Sequence, residues 1–229
     1  DGMTSIFEDE VKIQTNDKVI TSDFVKYNKN SGYLLIKNNI IATDKKNNVV
    51  HAELAEYFEK EEIFKTNGVT KVITSEKYVL NGSNILIDNK NKIIKSNEPS
   101  SLTDLDGNKI YLNTFEYQVE KNIFKSVGNV KIIDNKKNNF EFSQIYIDTK
   151  KNEILGADIK AFMNDENFKI SKENKPRIFS NNLTSNKEKN IFMKSIFTLC
   201  DYRENDKCPP WSIQSSRMLH DNKKKTIYY

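Results

Sequence analysis

Residues 109–118 read Lys109-Ile110-Tyr111-Leu112-Asn113-Thr114-Phe115-Glu116-Tyr117-Gln118. Apolar side chains fall at 110 and 112, then at 115 and 117. Period two means a half-buried strand, because successive side chains point to opposite faces. The parity slips by one between Leu112 and Phe115. Such a slip marks a bulge or bend that keeps one face inward. Asp104-Leu105-Asp106-Gly107-Asn108 precedes the stretch. Asp, Asn and Gly suit turns because they tolerate left-handed φ and bond their own backbone.

The same reading recurs about every 30 residues. One apolar column is Ile20, Val50, Leu80, Ile110, Phe140 and Ile170. A second is Val25, Ala55, Ile85, Phe115 and Ile145, and a third is Tyr27, Tyr57, Ile87, Tyr117 and Ile147. Leu34, Phe64, Ile94, Phe124 and Ile154 form a fourth, and Ala42, Val72, Leu102, Ile132 and Phe162 a fifth. Asp44, Asp104 and Asp134 keep the same beat in the turns, with Thr74 in the remaining place. Each repeat therefore reads as two strands of about ten residues, each roughly 33 Å long. The first strand is out of phase, with Val11 and Ile13 where the column expects 12. The period ends before Pro176.

Composition agrees with a thin core. Hydrophobic residues make up 37% of the 229, against roughly 45–50% in ordinary globular chains. Gly is scarce, at 7 residues, which argues against glycine-turned solenoids and flexible linkers. The 36 basic and 32 acidic residues nearly cancel. They are spread along the chain, so no nucleic-acid partner is expected. No apolar run approaches the roughly 20 residues of a membrane helix. The chain opens at Asp1-Gly2-Met3 and closes at Ile227-Tyr228-Tyr229 within an apolar pattern; both ends read as cuts.

Cys200 and Cys208 are the only cysteines. Two cysteines need further ligands to hold a metal, and zinc spacing is absent. A disulfide is expected instead, either between them or to cysteines beyond this chain, and it implies an oxidising compartment. His51 and His220 have no partners placed as a catalytic triad, and no carboxylate pair has the look of a hydrolase site. No catalytic residue, metal or cofactor is expected.

The repeat resembles the OstA-type repeat of the lipopolysaccharide-transport proteins LptA, LptC and LptD. The matching pieces are Gly68-Val69-Thr70-Lys71-Val72 and Gly128-Asn129-Val130-Lys131-Ile132. The resemblance covers about 160 residues. The C-terminal segment Phe197-Thr198-Leu199-Cys200, Cys208-Pro209-Pro210-Trp211-Ser212-Ile213 and His220-Asp221 resembles the junction at which the LptD jellyroll leads into an outer-membrane barrel. One departure stands out. Residues 1–199 contain no Cys, so the family's usual bridging scheme cannot be carried over whole.

The resemblance implies an all-β fold, an open, twisted β-jellyroll of stacked OstA-like repeats over residues 1–172. Residues 173–229 would hold the last jellyroll strands and a junction towards a barrel. It implies non-enzymatic lipopolysaccharide transport in the periplasm, with attachment to the outer membrane through that barrel. The expected lipid-binding groove is Ile20, Val25, Tyr27, Val50, Tyr57, Leu80, Ile85, Ile110, Phe115, Tyr117, Phe140 and Ile145, with Tyr27, Tyr57 and Tyr117 at its mouth. The expected partners are lipopolysaccharide, an LptA-like bridge protein at the edge strand of Val11 and Ile13, and an LptE-type lipoprotein through the barrel. Three alternatives remain: an LptA-like bridge protein, a carbohydrate-active β-solenoid enzyme, and a purely structural adhesin repeat with a closed, filled interior. The enzyme needs carboxylates stacked on an exposed face, whereas Asp44, Asp104 and Asp134 fall in turns.

Overall fold

The computed structural model describes residues 3–15, 18–164, 176–199 and 211–229. Every regular element among them is a β-strand. The first four strands are long: β1 (Thr4–Gln14), β2 (Lys18–Asn28), β3 (Tyr33–Asp44) and β4 (Val49–Phe58). The next four are each broken in the middle. They are β5 with β6 (Ile63–Thr66 and Val69–Ile73), β7 with β8 (Val79–Ser83 and Leu86–Asp88), β9 with β10 (Ile93–Ser96 and Ser100–Thr103), and β11 with β12 (Lys109–Leu112 and Phe115–Gln118). Long strands then return as β13 (Ile123–Ile133), β14 (Asn139–Asp148), β15 (Glu153–Phe162), β16 (Arg177–Ser185), β17 (Lys189–Thr198) and β18 (Ile213–Asp221), with a short β19 (Thr226–Tyr228).

The chain is an all-β, antiparallel jellyroll of stacked repeats. It divides into two compact units, Asp1–Leu105 with Asn113–Lys121 and Asp106–Leu112 with Asn122–Tyr229. In the first unit β1 to β4 pair in sequence. β4 then pairs with both β5 and β6, Ala55 facing Thr66 and Ala52 facing Thr70. From there one ladder runs β5, β8, β9, β12 and the other runs β6, β7, β10. Each broken strand thus serves two ladders and turns a corner between them. In the second unit β11 pairs with β13, and β13 to β19 pair in sequence. The slip at Asn113-Thr114 is therefore also one of the three places where the chain passes from one unit to the other.

The corners have a backbone cause. Asn38 and Asn39, Gly68, Gly128, Asp158 and Lys194 all take positive φ in mid-strand. Where two such residues are inserted the register shifts, as between Lys37 and Ile40 and between Glu8 and Val11. A bulge of this kind bends its strand. Two turn positions are left-handed as well. One runs Gly32, Glu62, Lys92, Asn122, Asn152 and the other Asn47, Lys77, Gly107, Lys137. Each repeat so carries up to three left-handed stations, most filled by residues other than Gly.

Among the described residues the apolar columns point inward with one exception. Ala42, Val72, Leu102 and Ile132 are buried, but Phe162 is not; its neighbours Ala161 and Met163 are. In β13 the inward residues flanking the corner, Ser126 and Val130, are four apart; in β15 Gly156 and Ile159 are three apart. One residue fewer at the corner flips the parity of all that follows. Strand pairing continues past Pro176, with Ala161 opposite Ile178, although the 30-residue beat does not.

Candidate functional site

The inward stripe of each unit is the candidate. Ile20, Val25, Val50, Tyr57, Leu80, Ile85, Ile110, Phe115 and Ile145 are buried. Tyr27, Tyr117 and Phe140 are half-buried. Of the three tyrosines expected at a mouth, Tyr57 is 6% exposed and lies inside. Tyr27 keeps its hydroxyl outside, donating to Glu59 Oε2 at 3.3 Å. Cys200 and Cys208, with Pro209 and Pro210, lie outside the described residues, and so does Ile170.

The stripe runs out to an edge at β1. Phe7 stands opposite Val25, yet Phe7 is 48% exposed while Val25 is 1% exposed. Val11 and Ile13, on the same face of β1, are half-buried. The backbone of this strand has a definite polarity. The amide of Thr15 donates to the carbonyl of Lys18 at 2.9 Å. Alternation along an antiparallel ladder then turns the polar groups of Ile13 and Val11 towards β2, and those of Lys12 and Gln14 away from it. The side chains of Val11 and Ile13 mark the edge, but Lys12 and Gln14 present its open backbone.

Lys18 is the feature least expected from the sequence. It opens β2 and is 9% exposed. Its ammonium lies 5.5 Å from the centre of the Tyr57 ring and 6.0 Å from that of Phe64. Those rings belong to the opposite ends of their strands. Val50 pairs with Ala42, which pairs with Ile20 beside Lys18. From Val50 to Tyr57 is about 23 Å along a straight strand. Only a strand folded back at its corner brings Tyr57 within reach of Lys18, so Lys18 crosses the interior from one ladder to the other.

At the corners the stripe changes from apolar to hydroxylic. Ser22, Thr66, Thr70, Ser96, Ser100, Ser126 and Ser180 are buried. Ser22 donates to Phe24 O (3.4 Å), Thr70 to Gly68 O (3.1 Å), Ser96 to Ser83 O (2.7 Å), Ser100 to Glu98 O (3.1 Å) and Ser180 to Asn182 O (2.9 Å). These hydroxyls satisfy carbonyls that the broken ladder leaves behind. The signal was present in the sequence, since Thr66, Ser96 and Ser126 keep the 30-residue spacing, as do Thr70 and Ser100.

The turns stack on one another through asparagine. Asp134 Oδ1 accepts from the amides of Lys136 (2.9 Å) and Asn138 (2.8 Å), and its Oδ2 accepts from Asn138 Nδ2 (2.7 Å). Asp44 holds Lys46 and Asn48 in the same way. The freed amide oxygen of each Asn then accepts from the next turn: Asn48 from Ser75 N, Asn108 from Asn135 N and Asn138 from Asn164 N, at 2.8, 2.9 and 2.8 Å. These aspartates are turn builders.

Burial, with a hydrogen bond to Glu56, raises Tyr33 to about 12. That bond (2.8 Å) and one from Asn67 hold Glu56 below the usual carboxylate value. Burial, then the nearby Lys136 charge, lowers His220. A surface depression of about 410 Å³ lies at the β17–β18 corner, lined by Lys194, Ser195, Ile196, Gln214, Ser215 and Ser216, away from the stripe. Among the described residues no three His, Cys, Asp or Glu side chains gather as a metal would need, and no helix is long and apolar enough to cross a membrane.

No family model matches the chain, and no curated protein matches it. Among solved structures it is similar to LptH of Pseudomonas aeruginosa, the LptA-homologous periplasmic component of the lipopolysaccharide transport device. That similarity covers 67% of this chain and 81% of that one, at 13% identity and a TM-score of 0.25.

Proposed function

We propose that this jellyroll conducts lipopolysaccharide along its inward stripe, without chemistry on the lipid. The observation that carries the reading is the open end at β1. There Phe7, on the inward face of β1, is 48% exposed, which makes the apolar stripe accessible at that strand. Each acyl CH₂ shielded from water is worth about 0.8 kcal/mol. Similar apolar rows repeated along the strands offer a chain many equivalent positions and no deep trap. The phosphorylated sugars stay outside. The OstA-type pieces support the same reading, because Gly68 and Gly128 both sit at corners with positive φ, where the bend that makes an interior is formed.

In this proposal the open backbone of β1 receives a strand from an LptA-like bridge protein, since an edge strand is a template for a partner. The segment from Cys208 to Ile213 leads towards an outer-membrane barrel and an LptE-type lipoprotein, as its resemblance to the LptD junction suggests. An LptA-like bridge is the second reading, and the same β1 edge supports it.

The test is photo-crosslinking in cells with active transport. Crosslinkable residues at Tyr117 and Phe140 are expected to capture lipopolysaccharide, while one at Lys136, in an exposed turn, does not. Equal labelling at all three positions, or none while transport proceeds, makes the stripe an ordinary core.

A further inference from the structure

We propose that His220 donates a hydrogen bond to the carbonyl at the root of an acyl chain lying on the inward stripe. The inference rests on the conduit reading and names the lipid chemistry this site takes, a chain joined through an ester or an amide. The observation is a change of residue type along one inward row. Phe124, Ile147 and Ile154 stand in register on β13, β14 and β15. On the next three strands the same row continues as Ser185, Asn190 and His220. All three are half-buried. Two residues along, on the same face, lie the buried Leu183, Phe192 and Met218, since a strand's side chains alternate. The polar row therefore borders an apolar floor.

The hydrogen bonds of this row fix the ring. Asn222 Nδ2 donates to the carbonyls of Asn186 and Lys187, both at 3.3 Å, which leaves its Oδ1 to face Asn190. Asn190 Nδ2 donates to that oxygen at 3.0 Å, and Asn190 Oδ1 accepts from Ser185 Oγ at 2.6 Å. The same Nδ2 meets His220 Nδ1 at 3.3 Å, and an amide nitrogen only donates. The imidazole proton thus sits on Nε2. Burial, then the Lys136 charge, lowers the pKa of the ring, so the ring is neutral at neutral pH. Among the described residues no protein group accepts from Nε2. A neutral, half-buried donor beside an apolar floor suits a neutral acceptor. A methylene chain lying over Phe192 and Met218 reaches the level of His220 about 7 Å further along the strand. Its linkage carbonyl is the first polar atom it can present there.

The experiment uses the full chain. The probes are a lysophospholipid with its chain on an ester, the ether-linked counterpart of equal chain length, and the phosphate-free monoacylglycerol and monoalkylglycerol. Wild-type protein is expected to bind each ester about fivefold tighter than its ether, the size of one neutral hydrogen bond, with or without the phosphate. His220→Leu is expected to bind esters and ethers alike, as the wild type binds the ethers. His220→Gln keeps an N–H at similar reach and is expected to restore part of the preference, which keeps the comparison sound should the Leu variant fold poorly. The chain has two histidines, so His51 serves as the internal reference in NMR. The Nε2 proton of His220 should move downfield with the esters and stay with the ethers. Equal weakening for every probe in His220→Leu would show a packing role and overturn the proposal. So would a preference that survives in His220→Leu, or one that follows the phosphate instead of the carbonyl. Binding of esters and ethers without preference by wild-type protein sinks the His220 role alone. Failure of wild-type protein to bind any of them sinks the conduit reading with it.

Discussion

The ring of Phe142 occupies the space that a β-carbon on Gly156 would need. The two residues stand on neighbouring strands at a corner, where β14 and β15 approach closely. Gly82 and Ser100 repeat the arrangement in the first unit, with Ser100 Oγ 2.6 Å from the position of a β-carbon on Gly82. At both places the neighbouring side chain takes the room of the missing β-carbon, and at 156 crowding rather than backbone strain fixes Gly.

Gly156→Ala is expected to destabilise the protein by about 1–3 kcal/mol, the usual range for overpacking. Adding Phe142→Leu should return part of that loss. Urea unfolding of both single variants and the double variant measures it, and strict additivity would refute the crowding.

Gly68 is the opposite case. Its φ is +80° and nothing lies within 4 Å of its missing β-carbon. Gly68→Ala should therefore cost only the left-handed penalty of about 1–2 kcal/mol. Conversely, Lys77→Gly, Lys92→Gly and Lys137→Gly, all at left-handed turn stations, should each stabilise by about 0.5 kcal/mol, the relieved strain less the added chain entropy. Thermal midpoints of the four variants check both signs.

Asn138 is buried and bonded at both ends of its amide, to Asp134 and to the backbone of Asn164. Asn138→Ala is expected to cost about 1–3 kcal/mol, because it strands buried polar groups. Asn138→Asp should be no better, since a carboxylate cannot donate to Asp134. Recovery of full stability by Asp would show that the ladder is ornamental.

Tyr33→Phe removes the hydrogen bond to Glu56 and should cost about 1 kcal/mol at neutral pH. Glu56 is held below its ordinary value near 4.5, so its contribution is complete above that pH and is lost as pH falls through the depressed folded value. Tyr33 is raised from 10.0 to about 12. Its contribution is complete below pH 10 and is lost as pH rises towards 12. The gap between wild type and variant should close at both extremes. A gap that does not change with pH would mean that the bond is not the cause.

Lys12→Pro should abolish capture of an LptA-like strand while the fold survives, because the amide it removes points away from β2. Ile13→Pro should instead injure the β1–β2 hairpin itself. Circular dichroism separates the two outcomes, and an unchanged affinity in Lys12→Pro places the contact elsewhere.

Period two, the slip at Leu112-Phe115 and the recurrence of Val25, Ala55, Ile85, Phe115 and Ile145 were legible in the sequence, because burial on one face leaves a mark on residue type. The corners were less so. Their left-handed stations hold Asn, Asp, Lys and Glu, so a low Gly count hid how many there are. Phe162 misled because one residue dropped at a corner moves no apolar residue out of the column, only out of the interior. Lys18 was illegible for a deeper reason. A lysine is read as solvated unless distant rings are known to reach it, and that knowledge requires the fold-back.

The left-handed turn stations recur in each repeat, and most repeats add one at a corner. A repeat brings its two turns, its corner and, where Asn fills the position as at 48, 108 and 138, a hook for the next. Length in such a chain changes in whole steps, two strands or about 9.5 Å at a time. Inserting a single strand would reverse the direction of everything after it. A gene that gains or loses one 30-residue block rewrites no contact except those at the splice. The protein behaves as a ruler whose divisions are written into the backbone, and a longer or shorter relative would differ from it by a whole number of marks.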